Sequence, residues 1–206
     1  HQSVLDDVKD AVQDYMVGAG VSEMMTYSFI KANAYDKMLL PADDARRSCI
    51  ELLNPITDAF SVMRTTMIPS ALQTASFNLR NHNSSVALFE VGRVFLPQSL
   101  PLTADPVERQ LLTAVLSGSR QELNWCTEKG AVDFYDMKGI VEGLLEALQV
   151  SDYTMVRSGQ PYLHPGKSCD IIVEGKVIGS FGEVHPVVQE NFDLDQVTYV
   201  LEMEIE

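Results

Sequence analysis

Cysteine is scarce in this sequence: Cys49, Cys126 and Cys169 are three among 206 residues. An odd count at wide spacing, with no Cys-x-x-Cys, excludes a disulfide scaffold and a zinc knuckle. It leaves reduced thiols in a cytoplasmic protein as the expectation. No apolar run approaches the roughly 20 residues of a membrane-spanning helix, and no signal-peptide pattern opens the chain. Basic residues are in short supply, 15 Lys+Arg against 29 Asp+Glu, for a net charge of −14. No Lys/Arg cluster offers a phosphate-backbone footprint, so the chain is not read as a nucleic-acid binder in its own right. Phosphate-loop, dinucleotide, zincin and nucleophile-elbow motifs are all missing. What remains is an ordinary globular composition, 46% hydrophobic and 21% charged, which rules out global disorder. Its length suits one domain spanning 1–206. The chain opens on His1 and stops within an apparent strand at Leu201–Glu206, which reads as a piece of a longer polypeptide.

Helical periodicity is clearest in two places. Val4, Leu5, Val8, Val12, Tyr15 and Met16 form one stripe, with Ser3 as cap, Asp6 at the third helical position, and Gly18 and Gly20 as the stop. Met137, Ile140, Val141, Leu144, Leu145 and Leu148 form a second stripe behind Asp133, a natural N-cap. Pro69 opens a third helix through Leu79, residues 31–48 hold a short helix and a charged loop, and Pro186 opens a last short helix. Strands are expected at 23–30, 49–53, 86–95, 110–117, 153–156 and 196–204, with a hairpin over 170–182 turning at Glu174-Gly175-Lys176. The strands cluster instead of alternating regularly with helices. The fold class is therefore α+β, a mostly antiparallel sheet with helices on one face.

Few constellations promise chemistry. Glu183 and His185 lie two apart, with Cys169 and Asp170 on the facing hairpin limb. A metal site needs three or four converging ligands, so no metal is expected there. Asp133, Asp136 and Glu142 are explained by helix capping and the helix dipole. Arg64 sits in an apolar stretch and Glu90 between Phe89 and Val91. Charges in such settings persist when paired, so both are candidates for a structural ion pair.

Five segments carry a resemblance. Asn54-Pro-Ile with Ser61-Val-Met-Arg-Thr-Thr-Met-Ile-Pro-Ser-Ala-Leu72, Val86–Phe95, Asp133-Phe-Tyr-Asp-Met-Lys-Gly139, Tyr162-Leu-His-Pro-Gly-Lys167 and Gly179-Ser-Phe-Gly-Glu-Val-His-Pro186 occur in order across nearly the whole chain. Together they resemble the β subunit of bacterial phenylalanyl-tRNA synthetase, in its domain similar to a class II aminoacyl-tRNA synthetase core. The resemblance implies a non-catalytic copy of that core, with the active site in a partner α subunit. It also implies an (αβ)₂ heterotetramer, and ATP, Mg²⁺ and tRNA used by the holoenzyme with no cofactor in this domain.

The class II motifs are degenerate in this sequence. Where the second motif has Phe-Arg-x-Glu, Phe95 is followed by Leu96, Pro97 and Gln98; where the third ends in arginine, rough alignment places Ile205. Losing one oriented phosphate donor in a dry site costs about 2.7–4 kcal/mol, so losing two leaves ATP little to hold it. Arg93, the nearest other arginine, has no clear aim toward a site. Class II cores pair through their first helix and strand, so the resemblance implies that Val8, Val12 and Tyr15 meet the α subunit. A stand-alone class II ligase-like enzyme using ATP is the alternative.

Overall fold

The computed structural model describes residues 4–55, 57, 60–120 and 130–206. The expected cap Ser3 and the thiol Cys126 lie outside them. Helix α1 (Val4–Gly18) buries Val12 and Met16, and Gly20 closes it at φ +82°, a conformation glycine adopts without a Cβ penalty. The expected strand 23–30 is broken in two. β1 (Ser22–Glu23) lies parallel to β4 (Ser85–Leu96), while β2 (Phe29–Ile30) pairs antiparallel with β3 (Val62–Met63). The break arises because the two ends serve different partners: Met24 N–H donates to Phe89 O, and Arg64 N–H donates to Ser28 O. The expected strand at 49–53 reduces to one bridge, Glu51 to Val62.

Helix α2 (Ala34–Lys37) and a 3₁₀ turn at Ala45–Arg47, capped by Asp44, fill the first loop region. Helix α3 (Ile68–Arg80) carries Pro69 in its first turn, where no intrahelical N–H is required. β4 and β5 (Val107–Gly118) form a twelve-pair antiparallel ladder. Helix α4 (Phe134–Ala147) opens with a complete capping box: the Asp133 carboxylate accepts from Tyr135 and Asp136 N–H, and Asp136 returns a bond to Asp133 N–H. Then follow β6 (Tyr153–Arg157), β7 (Leu163–Val173), β8 (Lys176–Val184), α5 (Pro186–Asn191) and β9 (Thr198–Glu204). Glu174 and Gly175 both have positive φ, as a tight hairpin between right-twisted strands demands. β7 starts at Leu163, earlier than the sequence suggests, because residues 164–167 bulge out of register before pairing resumes at Ser168.

The seven-stranded sheet has the order β1-β4-β5-β9-β8-β7-β6, antiparallel throughout except at β1–β4. Helices cover both faces, which corrects the one-face expectation. On one face Val12 and Met16 of α1 and Met137, Val141, Leu144 and Leu145 of α4 pack on Phe89, Leu112, Leu201 and Phe181. On the other, Ile68, Ala71, Leu72 and Ala75 of α3 pack on Val86, Val115 and Val200, with Val188 of α5 beside them. Central strands buried on both sides need no alternation, which is why Gln110–Ser117 is apolar almost throughout. Each fully enclosed large apolar side chain contributes about 1.5–3 kcal/mol of burial. No helix among the described residues is long and apolar enough to cross a membrane.

Candidate functional site

Two regions bear on function: the sheet face beneath the start of α3, and the exposed segment between β1 and β2. The sheet face is built by Thr66 and Met67, which lead into α3 across β4, β5 and β9. Met67, Val94 and Leu111 form a small apolar plug. Beside it, Glu202 of β9 accepts from Thr66 Oγ1 at 3.0 and 2.8 Å and from Met67 N–H at 2.6 Å. Burial pushes the Glu202 carboxyl above its ordinary value, against the lowering effect of those hydrogen bonds. A small cleft of about 170 Å³ remains next to Glu202, lined among others by Arg46, Gln160, Tyr162, Ser180 and Glu204.

The cations near this face are already engaged. Arg46 donates to both oxygens of Asp44, at 2.9 and 2.7 Å, and holds that carboxyl below its ordinary value. Arg64 lies with only 2% of its side chain exposed, and its Nη2 meets Glu90 Oε1 at 3.0 Å. Its Nε donates to Arg93 O at 2.8 Å and its Nη1 to Thr26 Oγ1 at 2.9 Å. The Thr26 hydroxyl in turn donates to Glu90 Oε2 at 2.5 Å. The two charged candidates of the sequence thus face each other in the interior, with every other polar contact filled by backbone or hydroxyl. A Cβ at Gly92 would run into Arg64 Nη2 and come within 2.8 Å of Met67, so β4 needs glycine there to leave room for the guanidinium.

The three positions at which the resemblance implies lost phosphate ligands do not gather on this face. Leu96 ends β4 opposite Val107, Gln98 is exposed in the following loop, and Ile205 is buried in the α1/α4 core. Arg93 is exposed and pairs with Glu108 at 2.8 Å. A triphosphate needs free, converging donors. This face presents the carboxylates of Glu202 and Glu204, an apolar plug and arginines that are engaged, and does not fit ATP·Mg²⁺.

The helix stripe packs against the chain's own core along part of its surface. Val12 is fully enclosed and Val8 and Tyr15 pack around the same core, with the Tyr15 ring lying against Gly143 of α4. Val12 therefore serves the chain's own interior, while Val8 and Tyr15 are only partly buried and keep surface open for the expected partner contact. Exposed apolar side chains occur at several places among the described residues, among them Val4 and Val17 of α1, Leu53, Phe77 of α3, Tyr135 of α4 and a group just after β1. Met25 is 93% and Tyr27 70% exposed, and the Tyr27 ring meets Phe60 edge-on at 5.0 Å between centroids. Met24 points inward and Thr26 reaches Glu90, so the segment alternates between anchored and outward side chains. Tyr27 stands near where the first class II motif has its proline, but nothing in the sequence marks Met25 or Tyr27 as facing outward. In the run Met-Met-Thr-Tyr-Ser-Phe every residue suits a strand, and nothing marks which ones face out.

The metal-ligand candidates have other partners. Glu183 accepts from Lys167 Nζ at 2.6 Å and from Tyr199 OH at 3.2 Å, and burial pushes the Tyr199 phenol up to about 12. His185 Nδ1 accepts from Val187 N–H and caps α5. Among the described residues no group of three or more His, Cys, Asp or Glu side chains is arranged to hold a metal.

Residues 1–205 match the family model of the phenylalanyl tRNA synthetase beta chain CLM domain. The chain belongs to that family. Relatives named phenylalanine–tRNA ligase beta subunit share 39% identity over 197 residues in Geobacter metallireducens and 41% over 196 residues in Syntrophotalea carbinolica, each covering 95% of this chain. A third, from Clostridium acetobutylicum, is 34% identical over the full 206 residues. The CLM domain spans 24% of the length of each of these relatives. In fold it is similar to pyrrolysyl-tRNA synthetase from Desulfitobacterium hafniense, with a TM-score of 0.75 at 14% identity, covering all of this chain and 68% of that one. The architecture is accordingly shared with that synthetase, and the family is that of the phenylalanyl tRNA synthetase beta chain CLM domain.

Proposed function

We propose that this CLM domain is a non-catalytic, subunit-docking part of a phenylalanine–tRNA ligase, supporting attachment of phenylalanine to its tRNA with ATP. The observation that carries the reading is the sheet face: Glu202 is locked to Thr66 and Met67, and both nearby arginines are engaged by Asp44 and Glu90. Such a face offers no free cation to a triphosphate, so activation belongs to a partner α subunit, which supplies the ATP and Mg²⁺ chemistry. The Met25/Tyr27/Phe60 ridge is the docking surface for that α subunit within an (αβ)₂ complex in the cytoplasm. Exposed apolar side chains grouped together, as Met25 and Tyr27 are beside Phe60, are a common mark of a protein contact. The −14 charge disfavours direct tRNA contact by this domain.

The test is phenylalanine-dependent exchange of pyrophosphate into ATP. The chain alone is expected to be silent with all twenty amino acids, while the α subunit with full-length β is active. Exchange by the chain alone would favour the stand-alone ligase reading instead.

A further inference from the structure

The ridge poses a mechanical problem. Among the described residues, no strand ladder holds 25–27: β1 ends at Glu23 and β2 begins at Phe29. Among the described residues the segment's backbone-to-backbone bonds lie at its ends, Met24 N–H to Phe89 O and Arg64 N–H to Ser28 O. Large exposed side chains on an unladdered segment lose entropy when a partner orders them, which weakens binding unless something fixes them beforehand. What fixes this segment lies directly beneath it. Arg64 Nη1 donates to Thr26 Oγ1 at 2.9 Å and reaches Tyr27 O at 3.5 Å, so one guanidinium holds two consecutive residues of the ridge. Glu90 clasps both the guanidinium and the Thr26 hydroxyl, and Arg64 Nε ties the whole to Arg93 O on β4. Gly92 leaves the space in which this cluster sits.

We propose that Arg64, Glu90 and Thr26 form a positioning clamp that presets the Met25/Tyr27 ridge for the α subunit, with Thr26 as its contact to the ridge. The proposal rests on the reading of that ridge as the α-subunit contact. An ion pair buried only for stability would have no need to engage an exposed segment. This one gives two contacts from a single guanidinium nitrogen, Nη1, and one carboxylate oxygen to it. Thr26 is the side chain between the two outward ones, so its anchoring sets the direction of both.

The experiment uses full-length β subunit assembled with α, and reads the dissociation constant by dilution and sedimentation. Thr26→Val removes the hydroxyl at equal volume and is expected to weaken α binding at least tenfold. Thr26→Ser restores the hydroxyl and is expected within threefold of the parent. Thr198→Val removes another buried hydroxyl, bonded to Ser117 and to Gln196 O at the far end of β9, and controls for general loss of stability. It is expected within threefold. Binding of Thr26→Val equal to the parent, or an equal loss in Thr198→Val, would overturn the clamp. Tyr27→Asp separates the two ideas: if it leaves binding intact, the ridge reading and the clamp fall together. If it abolishes binding while Thr26→Val does not, the clamp alone fails.

Discussion

Replacing Glu90 by leucine is the most informative single perturbation of the interior. It leaves Arg64 98% enclosed with a full charge, still bonded to Arg93 O and Thr26 but without its counter-ion at 3.0 Å. At an effective dielectric of ~20 the pair's attraction is about 5 kcal/mol before desolvation is counted. Deleting one member of such a pair typically costs about 3–5 kcal/mol, because the other is left charged and dry. The Thr26 hydroxyl loses its acceptor as well. For a domain of this size about 1 kcal/mol moves Tm by 2–4 °C, so Glu90→Leu is expected to lower Tm by roughly 6–20 °C. Arg64→Met with Glu90→Leu removes both charges at similar volume, and such paired replacements come within about 1 kcal/mol of the parent or exceed it. Urea unfolding of the four proteins of this double-mutant cycle at neutral pH, followed by circular dichroism, measures the coupling directly. A Glu90→Leu cost below about 1 kcal/mol, or a double variant as unstable as the sum of the singles, would refute the reasoning that the pair is buried, dry and mutually required.

Other consequences follow from the same geometry. Burial raises the Glu202 carboxyl in the folded chain above 4.5, so the native state binds the proton more tightly than the unfolded one. The group therefore costs stability as pH rises from 4.5 through the folded value, and relieves it on acidification. The stability of the parent minus that of Glu202→Gln should grow as pH falls toward 4.5, and a flat or opposite difference in urea titrations would contradict the assignment. Asp133→Ala dismantles the α4 capping box and should cost about 1–2 kcal/mol in the same unfolding assay. Little of that comes from the exposed Arg120 pairs, which are solvent-screened. Val12→Asp places a charge in a fully enclosed site and should unfold the chain even with no partner present. A folded Val12→Asp monomer that merely fails to bind α would favour the helix stripe as the interface over the ridge.

Much of the fold is written in local chemistry. The α4 stripe and its Asp133 cap, the Pro69 start of α3, the Glu174-Gly175 turn and the β4 run each declare themselves within a dozen residues. The parts that do not are set by long-range geometry. The strand at 23–30 breaks because Met24 and Ser28 bond to elements 65 and 36 positions away, at Phe89 and Arg64. Arg64 and Glu90 each stand out as charges in apolar company, but their meeting depends on how the chain crosses β4 before α3. Glu202 was not legible at all. In Leu201-Glu-Met-Glu-Ile-Glu206 the glutamates look like one solvated row, and only the lead into α3, bringing Thr66 and Met67 over Glu202, separates it from Glu204. The Val12 stripe shows the reverse: its periodicity is plain, but periodicity records that a face is covered and leaves open whether the cover is the chain itself.

The most direct test of the account is assembly with the ridge made charged. Full-length β subunit carrying Met25→Asp and Tyr27→Asp, mixed with α subunit and examined by sedimentation velocity, should run as separate subunits without aminoacylation activity, although each is folded. The same experiment with Phe77→Asp, exposed near the C-terminal end of α3, should give the intact complex. A ridge variant that assembles and charges tRNA like the parent would contradict the account.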